Sequence, residues 1–535
     1  MMKKVIKKLL AALLAVAMVC AMAIPAFAGN YWETEEDLGT NHCYDAFQIF
    51  DGVVSDDNTI SNVGWGSSIA HPNEFLAQLT EDLTIGDKFE TSFTPQEAAA
   101  VISQWSDSDN NSIAFARCVC NYVYSDRDST PVLQGGHTNG FKLEKAGYYL
   151  IVDTSSFSSD ANNDSYHAYN SFLLKVNKAN YHVQITPKVV KPTVEKKVYD
   201  NDDNSTSGDN NGWGSSADHA INEEFKFRLI AKLPASEGRA YDYYKKYTVC
   251  FNDTLSEGIT FDKLDTVEIT NGDGGASQVI DAANYTRTPN GSQFFKLSID
   301  DVKTCAEGLD LNKGATITVT YTAHLNDKAY VNTGSGSTEN KNSVRLQYSN
   351  NPRPNGEYWG YTPESEVYVY TYQLNNTKRA ETENGTPLPG AGFKLYSDEA
   401  CTDQSEVQLY QKDGFYYPIK DVLGKEAVEM KSAANGTFNV KGLDAGTYYL
   451  KEITPPDGYS ACKVIPVTIK ADHSRNDQVN LEGSNLTNDI VNIKAGGITL
   501  PSTGGIGTTL FYVVGGGLMV AAIVLLVTKK RMENK

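Results

Sequence analysis

Three side chains of this sequence stand where strand alternation turns a reactive group inward. In Val194-Glu195-Lys196-Lys197-Val198, Lys196 shares a face with Val194 and Val198. An ammonium between two valines is a costly placement unless it is used. In Tyr448-Tyr449-Leu450-Lys451-Glu452, Tyr448 and Leu450 should face a core, and Glu452 faces it with them. Asn342 precedes the strand residues Val344, Leu346 and Tyr348 and is in phase with their inward face. Burial favours a neutral amine, which is a nucleophile, and a protonated carboxyl, which can shuttle protons.

The elements that must position these groups read as strands. The chain has 535 residues, with 31 Tyr, 43 Gly and 18 Pro. Long helical patterns are few, and short alternating runs are bounded by turn residues. Proline-bearing junctions divide the body into segments 29–190, 191–372 and 373–495. The first opens with the strand Tyr44 to Gly52 and resumes strands at Gly147 to Val152 and Ser171 to Val176. Between them a helix is predicted from Pro95, with Thr94 as cap and Glu97 completing a capping box. A second helix is expected near Ile113 to Tyr122. The second and third segments are strand-rich, as in small β-sandwiches. The Asp/Asn run 200–211 lacks the glycine and glutamate of an EF-hand loop and reads as a solvated hairpin loop. No metal or cofactor is expected.

Both ends carry addressing signals. Lys3, Lys4, Lys7 and Lys8 precede the apolar stretch Leu9 to Ala23 and a small-x-small site, Ala26-Phe27-Ala28, so residues 1–28 read as a signal peptide. At the other end, within 496–535, Leu500-Pro501-Ser502-Thr503-Gly504 precedes an apolar segment, 506–527, and then Lys529, Lys530 and Arg531. That segment is near the length of a transmembrane helix, and the basic cluster sets its orientation. The whole chain carries −19; without four signal-peptide lysines and a tail of net +3, the exported body is near −26. Such acidity excludes a nucleic-acid binder and suits a soluble extracellular protein. Seven cysteines remain after Cys20, an odd number in a disulfide-permitting compartment.

The pentapeptide, apolar segment and basic stop resemble the cell-wall sorting signal of Gram-positive surface proteins, cut by a sortase between Thr503 and Gly504. With this signal, three internal motifs resemble the shaft pilins of sortase-assembled pili. Val183-Gln184-Ile185-Thr186-Pro187-Lys188 resembles the pilin motif, with Ala179 and Thr186 where Trp and Tyr are usual. The resemblance implies that Lys188 is the acceptor for the Thr503 carboxyl of another subunit, with Lys191 as the alternative. Tyr448 to Tyr459 resembles the E-box, matching at Tyr448, Leu450, Glu452, Pro456, Gly458 and Tyr459 and departing at Ile453 and Pro455. Leu388 to Phe393 resembles the opening signature of collagen-adhesin B-type domains.

The resemblance implies an all-β chain of tandem Ig-like sandwiches, the first with some helix, plus a C-terminal transmembrane helix. It also implies intramolecular Lys–Asn isopeptide bonds. In the third segment these are Lys378 and Asn492 with Glu452 as catalyst, Asn488 having the same strand parity. In the second they are Lys196 and Asn342 with Asp253 as catalyst, and Lys197, Asn340 and Asn332 as alternatives. By the same resemblance a disulfide joins Cys401 to Cys462, a second joins Cys250 to Cys305, and Cys43 is left to Cys118 or Cys120. The implied protein is a substrate rather than an enzyme. Its partners are a class C pilin sortase, a housekeeping sortase, other copies of itself, peptidoglycan, minor pilins and host surface ligands. The alternative is a wall-anchored adhesin or a minor tip or base pilin that does not polymerise through Lys188. A wall-anchored hydrolase finds no nucleophile elbow, zinc signature or glycosidase pair.

Overall fold

The computed structural model describes residues 43–496 and Lys529, except 55–59, 107–108, 127, 138–140, 144, 155–171, 177–180, 184–190, 201–211, 237–238, 290–292, 333–339, 353–358, 422–423 and 476–477. The signal peptide, Lys188, the loop 201–211, the motif from Leu500 to Gly504 and the segment 506–527 lie outside the described residues. Among the described residues no helix is long and apolar enough to cross a membrane.

The first group of elements is a sheet with helices packed on it. Its strands run in the order Ile60–Trp65, Cys43–Val54, Gly147–Asp153, Phe172–Val176, and Leu133–His137 also pairs with Cys43–Val54. Helix Pro95–Ile102 begins at the expected capping box: the Glu97 amide donates to Thr94 Oγ1 at 3.3 Å, and the Thr94 amide donates to Glu97 Oε2 at 2.8 Å. The second helix is longer than expected, Asn110–Ser125, because the Asp109 carboxylate accepts from the Asn111 amide and starts it a turn earlier. Phe50, Phe75, Phe89, Trp105 and Phe115 form the aromatic core between helices and sheet.

The second group is a sandwich of two facing sheets. One runs Ser216–Asp218, Ser365–Tyr370, Lys341–Ser349, Val249–Leu255, Phe294–Ile299, Tyr285–Pro289. The other runs Gln278–Val279, Ile259–Asn271, Ala315–Leu325, Glu224–Leu233, Thr193–Tyr199, Trp213–Gly214. Phe225, Phe227, Leu229, Ala231 and Leu233 alternate inward from Glu224–Leu233, as period two requires. Ile317, Val319, Tyr321 and Ala323 do the same from Ala315–Leu325.

The third group is a smaller sandwich. Its first sheet runs Leu409–Lys412, Phe415–Pro418, Val440–Leu443, Tyr372–Ala380, Thr487–Asn492. Its second runs Glu406–Val407, Gly392–Tyr396, Gly446–Thr454, Ile465–Ile469. The opening strand, Tyr372–Ala380, pairs in parallel with the closing strand, Thr487–Asn492, with Lys378 opposite Ile490 and Ala380 opposite Asn492.

The two sandwiches pack closely on each other. Tyr410, Tyr417 and Ile419 of the third join the core of the second. The Ile221 amide donates to Gly442 O at 2.9 Å. A Cβ at Gly442, whose φ is +81°, would lie 2.5 Å from the Ile221 side chain, so glycine is what allows this approach. His473 is buried against the second sandwich, its Nδ1 2.9 Å from Ser216 Oγ and its Nε2 3.7 Å from Asp200 Oδ2.

Candidate functional site: two buried lysine, acid and asparagine sets

In the third sandwich three buried polar side chains meet in an otherwise apolar core. Lys378 Nζ donates to Asn492 Oδ1 at 2.5 Å, and Asn492 Nδ2 donates to Glu452 Oε1 at 2.7 Å. Lys378 Nζ lies 3.5 Å from the same Glu452 oxygen. The other oxygen, Oε2, accepts the Cys462 amide at 2.7 Å, which fixes the carboxyl from behind. Lys378 and Asn492 come from the paired opening and closing strands; Glu452 comes from the facing sheet. The Phe393 ring centroid is 5.2 Å from Lys378 Nζ. Burial lowers the Lys378 pKa, opposed by the Cys462 thiol and by Glu452. Asn488, which shares strand parity, instead donates to Asn376 Oδ1 at 3.1 Å.

The second sandwich has a corresponding set with a fourth member. Lys196 is ion-paired with Asp253 Oδ1, and both side chains are fully buried. Asp253 Oδ2 accepts the Tyr321 hydroxyl at 2.6 Å. That hydroxyl accepts Asn342 Nδ2 at 2.5 Å and Lys196 Nζ at 3.2 Å. Asp253 stands opposite Val344, two residues along from Asn342. It is therefore diagonal to the asparagine, a separation that a short carboxylate does not bridge. Phe227, Phe261 and Phe295 surround the Tyr321 ring at centroid distances of 5.3, 5.4 and 5.2 Å. Burial lowers the Lys196 pKa to about 8 against the pull of Asp253. Burial raises the Asp253 pKa, opposed by Lys196 and the Tyr321 hydrogen bond. Among the alternatives, Lys197 faces outward to Glu195 at 2.8 Å. Asn340 is engaged with the Tyr330 backbone, and the side-chain nitrogen and oxygen of buried Asn332 have no hydrogen-bond partner among the described residues.

Sequence reasoning missed Tyr321. Its signal was available, since it alternates with Ile317 and Val319, but an inward tyrosine is ordinary in a sandwich core. The expected Cys401–Cys462 and Cys250–Cys305 disulfides are not formed in this structure, where these four thiols are unbonded. Cys250 lies on the outward face of its strand near Lys296 and Ser298, whereas Cys305 is in the core beside Val302. Cys462 sits beside Lys378 and Glu452, while Cys401 lies near Lys451, which alternates away from Glu452. Cys118 packs on a helix with its thiol directed to Asp82, away from Cys43 on the sheet.

Residues 374–484 match the SpaA prealbumin-like fold domain, and residues 492–534 match the LPXTG cell-wall anchor motif. Beyond these two matched regions, the chain is similar in part to surface proteins and pilins of Gram-positive bacteria. A trypsin-resistant surface T6 protein of Streptococcus pyogenes serotype M6 is 26% identical over 371 residues, which is 58% of this chain and 65% of that protein. The structure of the T6 backbone pilin of S. pyogenes serotype M6 aligns over 86% of this chain and 97% of its own, at 17% identity and a TM-score of 0.46. The full-length major pilin SpaD of Corynebacterium diphtheriae aligns over 85% of this chain and 93% of its own, at 17% identity and a TM-score of 0.40. With its match to the LPXTG cell-wall anchor motif, the chain is a cell-wall surface protein, and its described residues are built mainly of strands in facing sheets.

Proposed function

We propose that this chain is the repeating subunit of a covalently polymerised surface pilus, stiffened by two internal isopeptide bonds. The observation that carries the reading is the pair of buried lysine, acid and asparagine sets, in direct hydrogen-bond contact in the third sandwich and joined through the Tyr321 hydroxyl in the second. Surface charge pairs need no such burial, and an unreacted buried lysine is a standing cost. In the third sandwich, the neutral Lys378 amine attacks Asn492 Cγ. Glu452 takes a proton from Nζ and passes one to Nδ2. The Cγ–Nδ2 bond breaks, ammonia leaves and a secondary amide remains.

Between subunits a pilin sortase would cleave after Thr503 and pass the acyl group to Lys188 of the next copy. A housekeeping sortase would join the finished fibre to peptidoglycan. Such a head-to-tail contact does not close, so it generates a fibre. The anchor match at residues 492–534 supports the sortase step. The chain is in this reading a substrate, and its own chemistry runs once.

Boiled cell-wall extracts test the polymer. Wild type should run as a high-mass ladder on a denaturing gel. Lys188→Arg, whose guanidinium offers no usable amine, should give only monomer while still reaching the wall. If Lys191→Arg abolishes the ladder and Lys188→Arg does not, the acceptor is misplaced. A single wild-type band would overturn the polymer and leave the wall-anchored adhesin.

A further inference from the structure

We propose that the Tyr321 hydroxyl is a catalytic proton relay, carrying a proton from Asp253 to the departing nitrogen of Asn342. The inference rests on the isopeptide reading of the second sandwich and assigns a residue that reading does not require. In the third sandwich the acid holds the asparagine directly, Asn492 Nδ2 to Glu452 Oε1 at 2.7 Å. In the second, the acid is one methylene shorter and diagonal to its asparagine. The hydroxyl fills the gap, 2.6 Å from Asp253 Oδ2 and 2.5 Å from Asn342 Nδ2. Asn342 Oδ1 accepts no hydrogen bond among the described residues, so this hydroxyl alone holds the amide. A tyrosine present only for packing needs no bond to both the acid and the leaving group.

The protons balance. Lys196 first gives one proton to the Tyr321 oxygen, 3.2 Å away, as that hydroxyl gives its own to Asp253 Oδ2, leaving a neutral amine and a carboxylic acid protonated at Oδ2. The amine attacks Asn342 Cγ, forming the new C–N bond. As Nζ gives a second proton to Asp253 Oδ1, Oδ2 passes its proton to the Tyr321 oxygen, and the hydroxyl gives its own to Nδ2. The Cγ–Nδ2 bond then breaks and ammonia leaves. Tyr321 ends as a neutral phenol and Asp253 as an acid.

The test is cell-free synthesis of the full mature body, quenched at intervals and read by intact mass and by mapping of the Lys196–Asn342 and Lys378–Asn492 peptides. Tyr321→Phe keeps the ring among its phenylalanines. It should slow the Lys196–Asn342 bond by on the order of 10²-fold, the usual contribution of positioned acid–base catalysis, and leave the Lys378–Asn492 bond at its wild-type rate. Asp253→Glu in the Tyr321→Phe background lengthens the acid and should restore much of the lost rate, which a merely structural tyrosine would not allow. A wild-type rate in Tyr321→Phe overturns the relay. Should that variant fail to fold, 3,5-difluorotyrosine at position 321 keeps the hydroxyl with altered acidity, and an unchanged rate overturns it equally. A wild type lacking the Lys196–Asn342 peptide would instead sink the isopeptide reading itself.

Discussion

The two sandwiches hold the same three functional groups and place them on different elements. In the third, lysine and asparagine lie on adjacent strands of one sheet, and the acid reaches across from the other. In the second, Lys196 and Tyr321 belong to one sheet, and Asp253 and Asn342 to the facing one. A bond between Lys378 and Asn492 would join the first strand of its domain to the last. A bond between Lys196 and Asn342 would staple two sheets together through the core. The closed loops hold about 115 and about 147 residues, each worth about 4–5 kcal/mol by the chain-entropy model. Equilibrium stability therefore hardly separates the two bonds. Mechanical force should, because it follows the covalent path.

The largest expected effect is mechanical. Pulled from its ends, the wild-type third domain should give almost no extension, since chain beyond its two bonded strands is short. Glu452→Gln should leave that bond unmade and release about 380 Å of chain, from roughly 115 residues at about 3.3–3.6 Å each. The second domain should yield a shorter extension in the wild type, from the chain after Asn342. Single-molecule stretching reads both lengths. Equal extensions in wild type and Glu452→Gln would break the comparison.

Next in size, thermal unfolding of Glu452→Gln should show the third domain destabilised by about 4–5 kcal/mol, from the loop-closure term alone. The second domain should keep its own transition, apart from the change carried by their shared contact.

Much of this arrangement was legible in the sequence, and the limits are instructive. Lys196 and Glu452 were visible because alternation is local and a charge among valines or beside tyrosine and leucine stands out. Thr94 and Glu97 signalled their helix for the same reason. Tyr321 was in phase but chemically unremarked, because what matters is its distance to residues from other strands. The resemblance names cysteine pairs without saying which face each thiol takes: Cys250 lies on the outward face of its strand and Cys305 in the core. The parallel pairing of the strands of Lys378 and Asn492 joins residues about 115 apart, a distance over which neighbours in sequence carry no signal.

A pH experiment sharpens the difference at the lysines. In Asn342→Ala, Lys196 stays a free amine whose pKa in the folded state is lowered to about 8, against an ordinary 10.5. Between these values the unfolded chain binds the proton that the folded chain has lost. Second-domain stability should therefore rise as pH increases from about 8 to 10.5. Denaturant unfolding across that window checks the sign, and a fall would contradict the burial argument.

The smallest effect is expected at Cys462. Its backbone amide, not its thiol, holds Glu452 Oε2. Cys462→Ala should therefore form the third-domain bond to completion, as read by peptide mapping. A block would mean that the thiol takes part.

The most direct measurement is the intact mass of the reduced mature body, followed by mapping of branched peptides. Each bond releases one ammonia, so two bonds should leave the protein about 34 Da below its sequence mass, roughly 17 Da for each amide condensation. The branched peptides should join Lys196 to Asn342 and Lys378 to Asn492. A reduced mass equal to the sequence mass would contradict both bonds at once.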